Sequence, residues 1–259
     1  MKTYVTLLTA DSYLAGVLVL WASLKKCNSQ YPFLVLVSGN VSRRVIRRLE
    51  KLNIDCKVVP SLKNPHLRDE NHAFYTVFDK LNIYRLTEYE KIVYIDADIL
   101  VVDNIDELFD KPNGSAVNSG GLLPNFKHWT HLNSGVLVVE PDQSIFEDMV
   151  AQIGKLPSED GGDQGFLQSY FYNWPHQKHL HLDQGYNMFS GFLNHFNDLF
   201  GYDFRQKKPE RIIKAIHFWA DFKPWVRGRD ATQNLYGLEA EANLLWWQLH
   251  DEVLDYVIV

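Results

Sequence analysis

The chain has little cysteine: two in 259 residues, Cys27 and Cys56, with no CxxC pair. That excludes a disulfide framework and a four-thiolate metal site, and it suits a reducing compartment. No uninterrupted run of 18 apolar residues occurs, so no membrane-spanning helix is expected. The apolar start at Val5, Leu7 and Leu8 is broken by Asp11 before it can read as a secretory leader. A cytoplasmic protein with no membrane partner is the expectation. Positive charge is not in excess either. Lys and Arg number 26 against 32 Asp and Glu, a formal charge of −6, which argues against a general nucleic-acid binder. GxGxxG, the P-loop, GxSxG and HExxH are missing, which removes a dinucleotide oxidoreductase, a P-loop nucleotidase, a serine-hydrolase elbow and a zincin.

What is present is the patterning of an α/β protein. Short apolar runs at residues 4–8, 33–37 and 54–59 alternate with helical patterns at 14–24 and 42–52, the order of a nucleotide-binding, doubly wound half. Asp11-Ser12 is placed to cap the first helix, and Val45, Ile46 and Leu49 form the inward side of the second. The pattern lapses over 60–73, an exposed loop. Further helices are predicted at 76–86, 142–153, 162–172 and 238–254, the last with Leu238, Ala242, Leu245, Leu249 and Val253 on one face. Strands are predicted at 91–95 and 135–140, with an antiparallel turn of the chain after Leu100. No repeat and no Gly/Ser linker interrupts this order.

The segment Lys91-Ile-Val-Tyr-Ile-Asp96-Ala97-Asp98-Ile-Leu-Val-Val carries the chemistry. A strand this apolar is buried on both faces, where two carboxylates are costly without a partner. On an extended chain Asp96 and Asp98 point to one side, near the carboxyl end of a sheet strand. Two converging hard oxygen ligands suit Mn²⁺ or Mg²⁺, which would neutralise a diphosphate.

Six segments in one order resemble glycogenin and the wider glycosyltransferase family 8. They are Val5-Thr-Leu-Leu-Thr9 with Tyr13; Lys80; Tyr94-Ile-Asp96-Ala97-Asp98; Asn133-Ser-Gly-Val; Asp160-Gly-Gly-Asp163-Gln164-Gly; and His217-Phe with Lys223-Pro-Trp. The resemblance implies a GT-A fold, with a Rossmann-like nucleotide-binding half and a mixed, mainly parallel central sheet flanked by helices. It implies one domain over 1–259, with a UDP-binding half at 1–100 and an acceptor and metal-completing half at 101–259. It further implies a Mn²⁺-dependent retaining transfer of a hexose from UDP-galactose or UDP-glucose, galactose preferred, to a glycan or glycoprotein acceptor, and a homodimer.

Carried over by position, the resemblance assigns Leu7, Thr9, Ala10 and Tyr13 to uracil. Asp96, Asp98 and His217 take the metal, and Lys80, Ala97, Asn133, Ala220 and Lys223 take the donor. Asp160, Asp163 and Gln164 are assigned to the reacting sugar. Ala220 stands where the family has glycine. The stretch 188–196, where glycogenin carries its self-glucosylated tyrosine, has none. That absence directs transfer to a separate acceptor, as in the cytoplasmic galactosyltransferases that cap a glycan on an SCF ubiquitin-ligase adaptor. A self-glucosylating primer and a silent sugar-nucleotide-binding module are the alternatives.

Taken alone, Asp160 reads first as a helix N-cap, His217 as a buried histidine and Lys223 as a surface lysine. The pairs His128/His131 and His179/His181 lack carboxylate neighbours and read as structural, and Trp246-Trp247 as core or subunit interface.

Overall fold

The structure, a computed structural model, describes residues 1–67, 75–206 and 210–258. Its strands are β1 (Lys2–Leu8), β2 (Phe33–Val37), β3 (Asp55–Val58), β4 (Lys91–Ile95), β5 (Ile99–Val101), β6 (Ala116–Asn118), β7 (Leu132–Val139), β8 (His181–Leu182), β9 (Met188–Phe189), β10 (Tyr202–Asp203), β11 (Arg211–Ile212) and β12 (Ala215–His217). Its α-helices are α1 (Leu14–Lys26), α2 (Arg43–Lys51), α3 (Gln143–Gln152), α4 (Asp163–Tyr170), α5 (Leu193–Phe200), α6 (Pro224–Arg227) and α7 (Gly237–Ile258). The chain forms two compact units: Met1–Asp11, Tyr31–Asp96 and Leu108–Leu182 make the first, and Ser12–Gln30, Ala97–Glu107 and Asp183–Val259 the second.

The first unit is built on a seven-stranded sheet in the order β3-β2-β1-β4-β7-β6-β8. β3, β2, β1 and β4 run parallel, and β7 is antiparallel to both β4 and β6, so the sheet is mixed and mainly parallel as expected. Alternation along each strand sorts the side chains: Val5, Leu7, Leu34, Leu36, Ile92, Tyr94, Leu137 and Val139 all join one core with Phe78, Leu81, Met149 and Phe166. Each such fully buried apolar side chain contributes roughly 1.5–3 kcal/mol. Ser42 caps α2 through Val45 N, and Asp142 caps α3 through Ser144 N and Ile145 N.

The second unit holds the three-stranded sheet β5-β12-β9 and the pair β10-β11, with α1 packed against α7 and β5. Leu238, Ala242, Trp246, Leu249 and Val253 are buried on α7, so Trp246 belongs to the core of this unit and stacks on Trp225 at 5.4 Å. Among the described residues no helix is long and apolar enough to cross a membrane.

Three local expectations are corrected. Asp11 does not cap α1, whose N-cap position is Tyr13; its Oδ1 accepts the amide of Ser42 instead, 2.8 Å away. The predicted helix at 76–86 is a 3₁₀ helix, Val77–Arg85, because Asp79 and Asn82 spend their side chains on backbone groups: Asp79 on Leu62 N, Asn82 on Pro60 O and Asp79 O. The loop expected at 60–73 is without helix or strand as far as residue 67, and its remainder lies outside the described residues.

The extended run through Asp96 and Asp98 is also broken. β4 ends at Ile95, Ala97 and Asp98 form a turn, and β5 starts at Ile99 in a different sheet, antiparallel to β12. Asp96 therefore precedes the turn and Asp98 lies in it, rather than the two alternating along a strand, which avoids placing either one inside an apolar ladder.

Candidate active site

In the first unit Asp96 stands just past the end of β4, its amide bonded to Gly135 O at 2.8 Å. The 3₁₀ helix delivers Lys80, only 5% exposed. Its Nζ lies 3.0 Å from Asp96 Oδ1, 2.5 Å from Asp163 Oδ2 and 3.1 Å from Ser134 Oγ, so all three ammonium hydrogens have acceptors. Tyr94 donates its hydroxyl to Asp96 Oδ1 at 2.7 Å, and Ser134 donates to Asp163 Oδ2 at 3.0 Å.

Burial works against the Lys80 ammonium, yet Asp163 and Asp96 together hold its pKa above the usual lysine value. Burial raises the Asp163 pKa; Lys80 pulls it down, but adjacent Asp96 pushes it up again, leaving it above the ordinary carboxylate value. Two carboxylates share one ammonium, so with both ionised the group carries one net negative charge.

The neighbours of this group are held by backbone. Gln164 Oε1 accepts the Ser134 amide at 3.1 Å, and Asn133 Oδ1 accepts the Gly135 amide at 2.9 Å. Asp160 is exposed and is not the N-cap residue of α4, which is Gly162; its Oδ1 accepts from Gly162 N at 2.9 Å and from Gly165 N at 3.0 Å, at the start of that helix. A Cβ on Gly165 would fall 2.6 Å from that oxygen, so only glycine admits the carboxylate. Of the loop after β1, Thr9 and Ala10 are half-buried beyond the strand end, whereas the Leu7 side chain lies in the core.

In the second unit Asp98, 9% exposed, takes two partners. His217 Nε2 lies 3.2 Å from its Oδ1 and Lys223 Nζ 2.9 Å from its Oδ2. Burial alone would raise the Asp98 pKa; the cationic neighbours overcome that and hold it well below the ordinary carboxylate range. His217 Nδ1 lies 2.9 Å from Asn187 Oδ1. An Nδ1–H donated to Asn187 fixes the ring with Nε2 facing Asp98; once Nε2 gives up its proton, it offers the electron pair of a metal-binding imidazole.

Lys223 is buried rather than a surface lysine, and also donates to Ala220 O at 3.0 Å. Its Nζ is 5.9 Å from the Tyr13 ring centre, and that ring meets Trp225 edge-on at 5.9 Å. Ala97 O sits 2.3 Å from where a Cβ on Gly16 would be, so α1 approaches the Asp-Ala-Asp turn through a residue without a side chain.

The structure thus brings together Lys80, Asp96, Asp163, Gln164 and Asn133 in the first unit, and Asp98, His217, Lys223, Tyr13 and Ala220 in the second. Three residues were not singled out from sequence: Ser134, Tyr94 and Asn187. Ser134 and Tyr94 stand inside motif segments, where their signal was a polar side chain close to a site residue; Asn187 lies in none of them and only borders the 188–196 stretch. Of the histidine pairs, His131 and His181 both stack with Trp174, at 6.2 and 4.0 Å, and so are structural.

The model of the family "Glycosyl transferase family 8" matches residues 4–228. Inositol phosphorylceramide glucuronosyltransferase 1 of Arabidopsis thaliana is 39% identical over 175 residues, 68% of this chain and 31% of that protein. Human glycogenin-1 is 31% identical over 261 residues, 96% of this chain and 71% of that protein. The chain spans only 31%, 42% and 37% of three plant relatives it matches. Among solved structures, the galactosyltransferase LgtC with donor and acceptor sugar analogues superposes with a TM-score of 0.64 at 17% identity, over 97% of this chain and 96% of that one. The fold is GT-A.

Proposed function

The chain belongs to glycosyl transferase family 8, and from that membership we propose that it is a metal-dependent retaining enzyme that moves a hexose from a UDP-sugar to a hydroxyl of a separate glycan or glycoprotein. The observation that supports this most is Asp98, a buried carboxylate held between the imidazole of His217 and the ammonium of Lys223. Asp96, Asp98 and His217 offer two hard oxygens and one nitrogen, a donor set that fits Mn²⁺ better than Mg²⁺. When bound, such an ion supplies Lewis-acid stabilisation of the departing diphosphate. Lys223 neutralises charge on the leaving UDP, with Ala220 beside it, and Tyr13, Thr9 and Ala10 hold the base.

Asp163, Gln164 and Asn133 surround the transferred sugar in this reading, while Asp160 shapes the turn that presents them. Asp163 is bound by both Lys80 and Ser134, which makes it a poor free nucleophile and favours attack on the face from which UDP departs. With Asp96 given to the metal, Asp163 and Lys80 remain as a neutral pair with no spare cation for a uronate, which favours a neutral hexose, galactose or glucose.

The test incubates purified protein and Mn²⁺ with UDP-galactose, UDP-glucose or UDP-glucuronate, without acceptor, and reads released UDP and intact mass together. UDP release from a neutral hexose donor, no mass gain and loss on chelation are expected. A mass ladder in hexose steps would establish self-glycosylation instead, and a preference for UDP-glucuronate would overturn the donor assignment. Silence with all three donors would leave a sugar-nucleotide-binding module.

A further inference from the structure

The connection from β6 to β7, residues 119–131, is fixed by its own backbone. Ser119 N bonds to His131 O and Gly120 N to Trp129 O, each at 2.7 Å, while Asn118 Nδ2 reaches Thr130 O at 2.7 Å. A Cβ on Gly120 would fall 1.9 Å from Phe126 O, so the loop closes around a residue without a side chain. This well-tethered loop presents Trp129 at 43% exposure, the one exposed indole among the chain's seven tryptophans. Phe126 backs it at 4.7 Å and His128 meets its edge at 5.6 Å. An indole is among the largest apolar groups a chain can bury, and here it is withheld from the core on a rigid support.

The loop is tied to the helix that carries the reactive group. Gln168 Nε2 donates to Leu132 O at 2.7 Å and to Ser119 Oγ at 3.4 Å, holding both ends of the loop. One turn earlier on α4, Gln164 accepts the Ser134 amide. Asn133 lies four positions after Trp129, at most about 14 Å of extended chain.

We propose that Trp129, backed by Phe126, is a stacking platform for a pyranose ring of an oligosaccharide acceptor. A pyranose offers a C–H face of weakly positive hydrogens, complementary to the electron-rich face of an indole, and a rim of hydroxyls. Exposed Asn125, Lys127 and Thr130 surround the indole in sequence and suit those hydroxyls as hydrogen-bond partners. The inference deepens the proposed transferase function and rests on it. It names an acceptor longer than one sugar, with the reacting hydroxyl at one end and a more distant ring on Trp129.

The test compares wild type, Trp129→Ala and Trp129→Phe in three measurements: thermal midpoint, UDP released by transfer to water, and binding of maltohexaose, xylohexaose and chitohexaose by calorimetry. Wild type should bind at least one of the three glycans. Trp129→Ala should weaken that binding about tenfold, Trp129→Phe should restore most of it, and midpoint and UDP release should stay at the wild-type level. Equal binding by wild type and Trp129→Ala overturns the platform. Binding of none of the glycans by a wild type that still releases UDP also overturns it, and points to a protein partner for this loop. Absence of UDP release from every protein would instead sink the transferase reading, while glycan binding would still be read independently.

Discussion

Asp163 and Asp98 are the same residue type at nearly the same side-chain exposure, 13% and 12%, yet they are shifted in opposite directions. The difference lies in who shares with whom. In the first unit one ammonium, Lys80, serves two carboxylates; in the second one carboxylate, Asp98, serves an imidazole and an ammonium. Burial penalises both aspartates, so the balance of cationic neighbours against the like charge of Asp96 decides the sign. The first arrangement keeps surplus negative charge and cannot spare its only cation. The second has an anion with more than one partner, so one contact can be exchanged for a metal ion without stranding it.

The sharpest way to break this comparison is to remove each lysine in turn. Lys80→Met leaves Asp96 and Asp163 buried with no cation, and about 3–5 kcal/mol of stability should be lost. Lys223→Met leaves Asp98 its His217 contact, and the loss should be about 1–3 kcal/mol. Urea unfolding of the two variants side by side reads the order directly. Equal losses would show that partner count does not govern either group.

Asn187→Ala probes the second group without touching its charges. Freed from Asn187, the His217 ring loses the contact that fixes its orientation, and Mn²⁺ affinity should fall about 10–100-fold, measured by titration calorimetry. Wild-type affinity in that variant would remove His217 from the ligand set. The Lys80 group contains no equivalent orienting amide on an imidazole, so Ser134→Ala should leave Mn²⁺ affinity near wild type.

A third buried aspartate serves as the reference for both. Asp203 is fully buried, and burial would raise its pKa, but Arg205 and Gln206 hydrogen bonds bring it below the ordinary value. Its folded pKa is depressed, so its stabilisation is present above the unfolded value of about 3.9 and is lost as pH falls through the folded one. Arg205 is 38% exposed and screened by solvent, so the contribution should be about 1 kcal/mol. Asp203→Asn should flatten the fall of stability with acid by that amount and leave metal affinity alone. An unchanged acid limb would show that other carboxylates set it.

Much of the first unit was legible because its strands are β-branched, alternating and bounded by helices, so local pattern and final fold agree. The Asp-Ala-Asp motif was legible for the same reason, as a polar exception in an apolar run. The change of sheet at Asp96 was not, because apolar residues on both sides of the break have the same periodicity whether they pair with one sheet or two. Ser134 and Asn187 were missed because their partners Lys80 and His217 lie 54 and 30 residues away. Asp11 was misassigned for the same reason: a near helix start was the obvious partner, and the true one is 31 residues on.

Ala220 was noticed from sequence only as a departure from a family glycine, and the structure gives that departure a cost. Among the described residues, three other than glycine have positive φ: Asn28 at 58°, Asn53 at 54° and Ala220 at 48°. Asparagine tolerates this region through local hydrogen bonding, whereas alanine does not, and the left-handed conformation costs an L-residue about 1–2 kcal/mol. Glycine would relieve that strain but would have more unfolded-state freedom to lose, about 0.4–1 kcal/mol. The balance for Ala220→Gly is a gain of about 0.5–1 kcal/mol, a rise of about 1–4 °C in thermal midpoint. Lys223 bonds to the carbonyl of residue 220, which glycine keeps, so UDP release should be unchanged. If the midpoint falls while turnover rises, the strained alanine is instead restricting motion of the segment that carries Lys223. The second group would then trade stability for mobility at a place where the first, with its saturated lysine, has no counterpart.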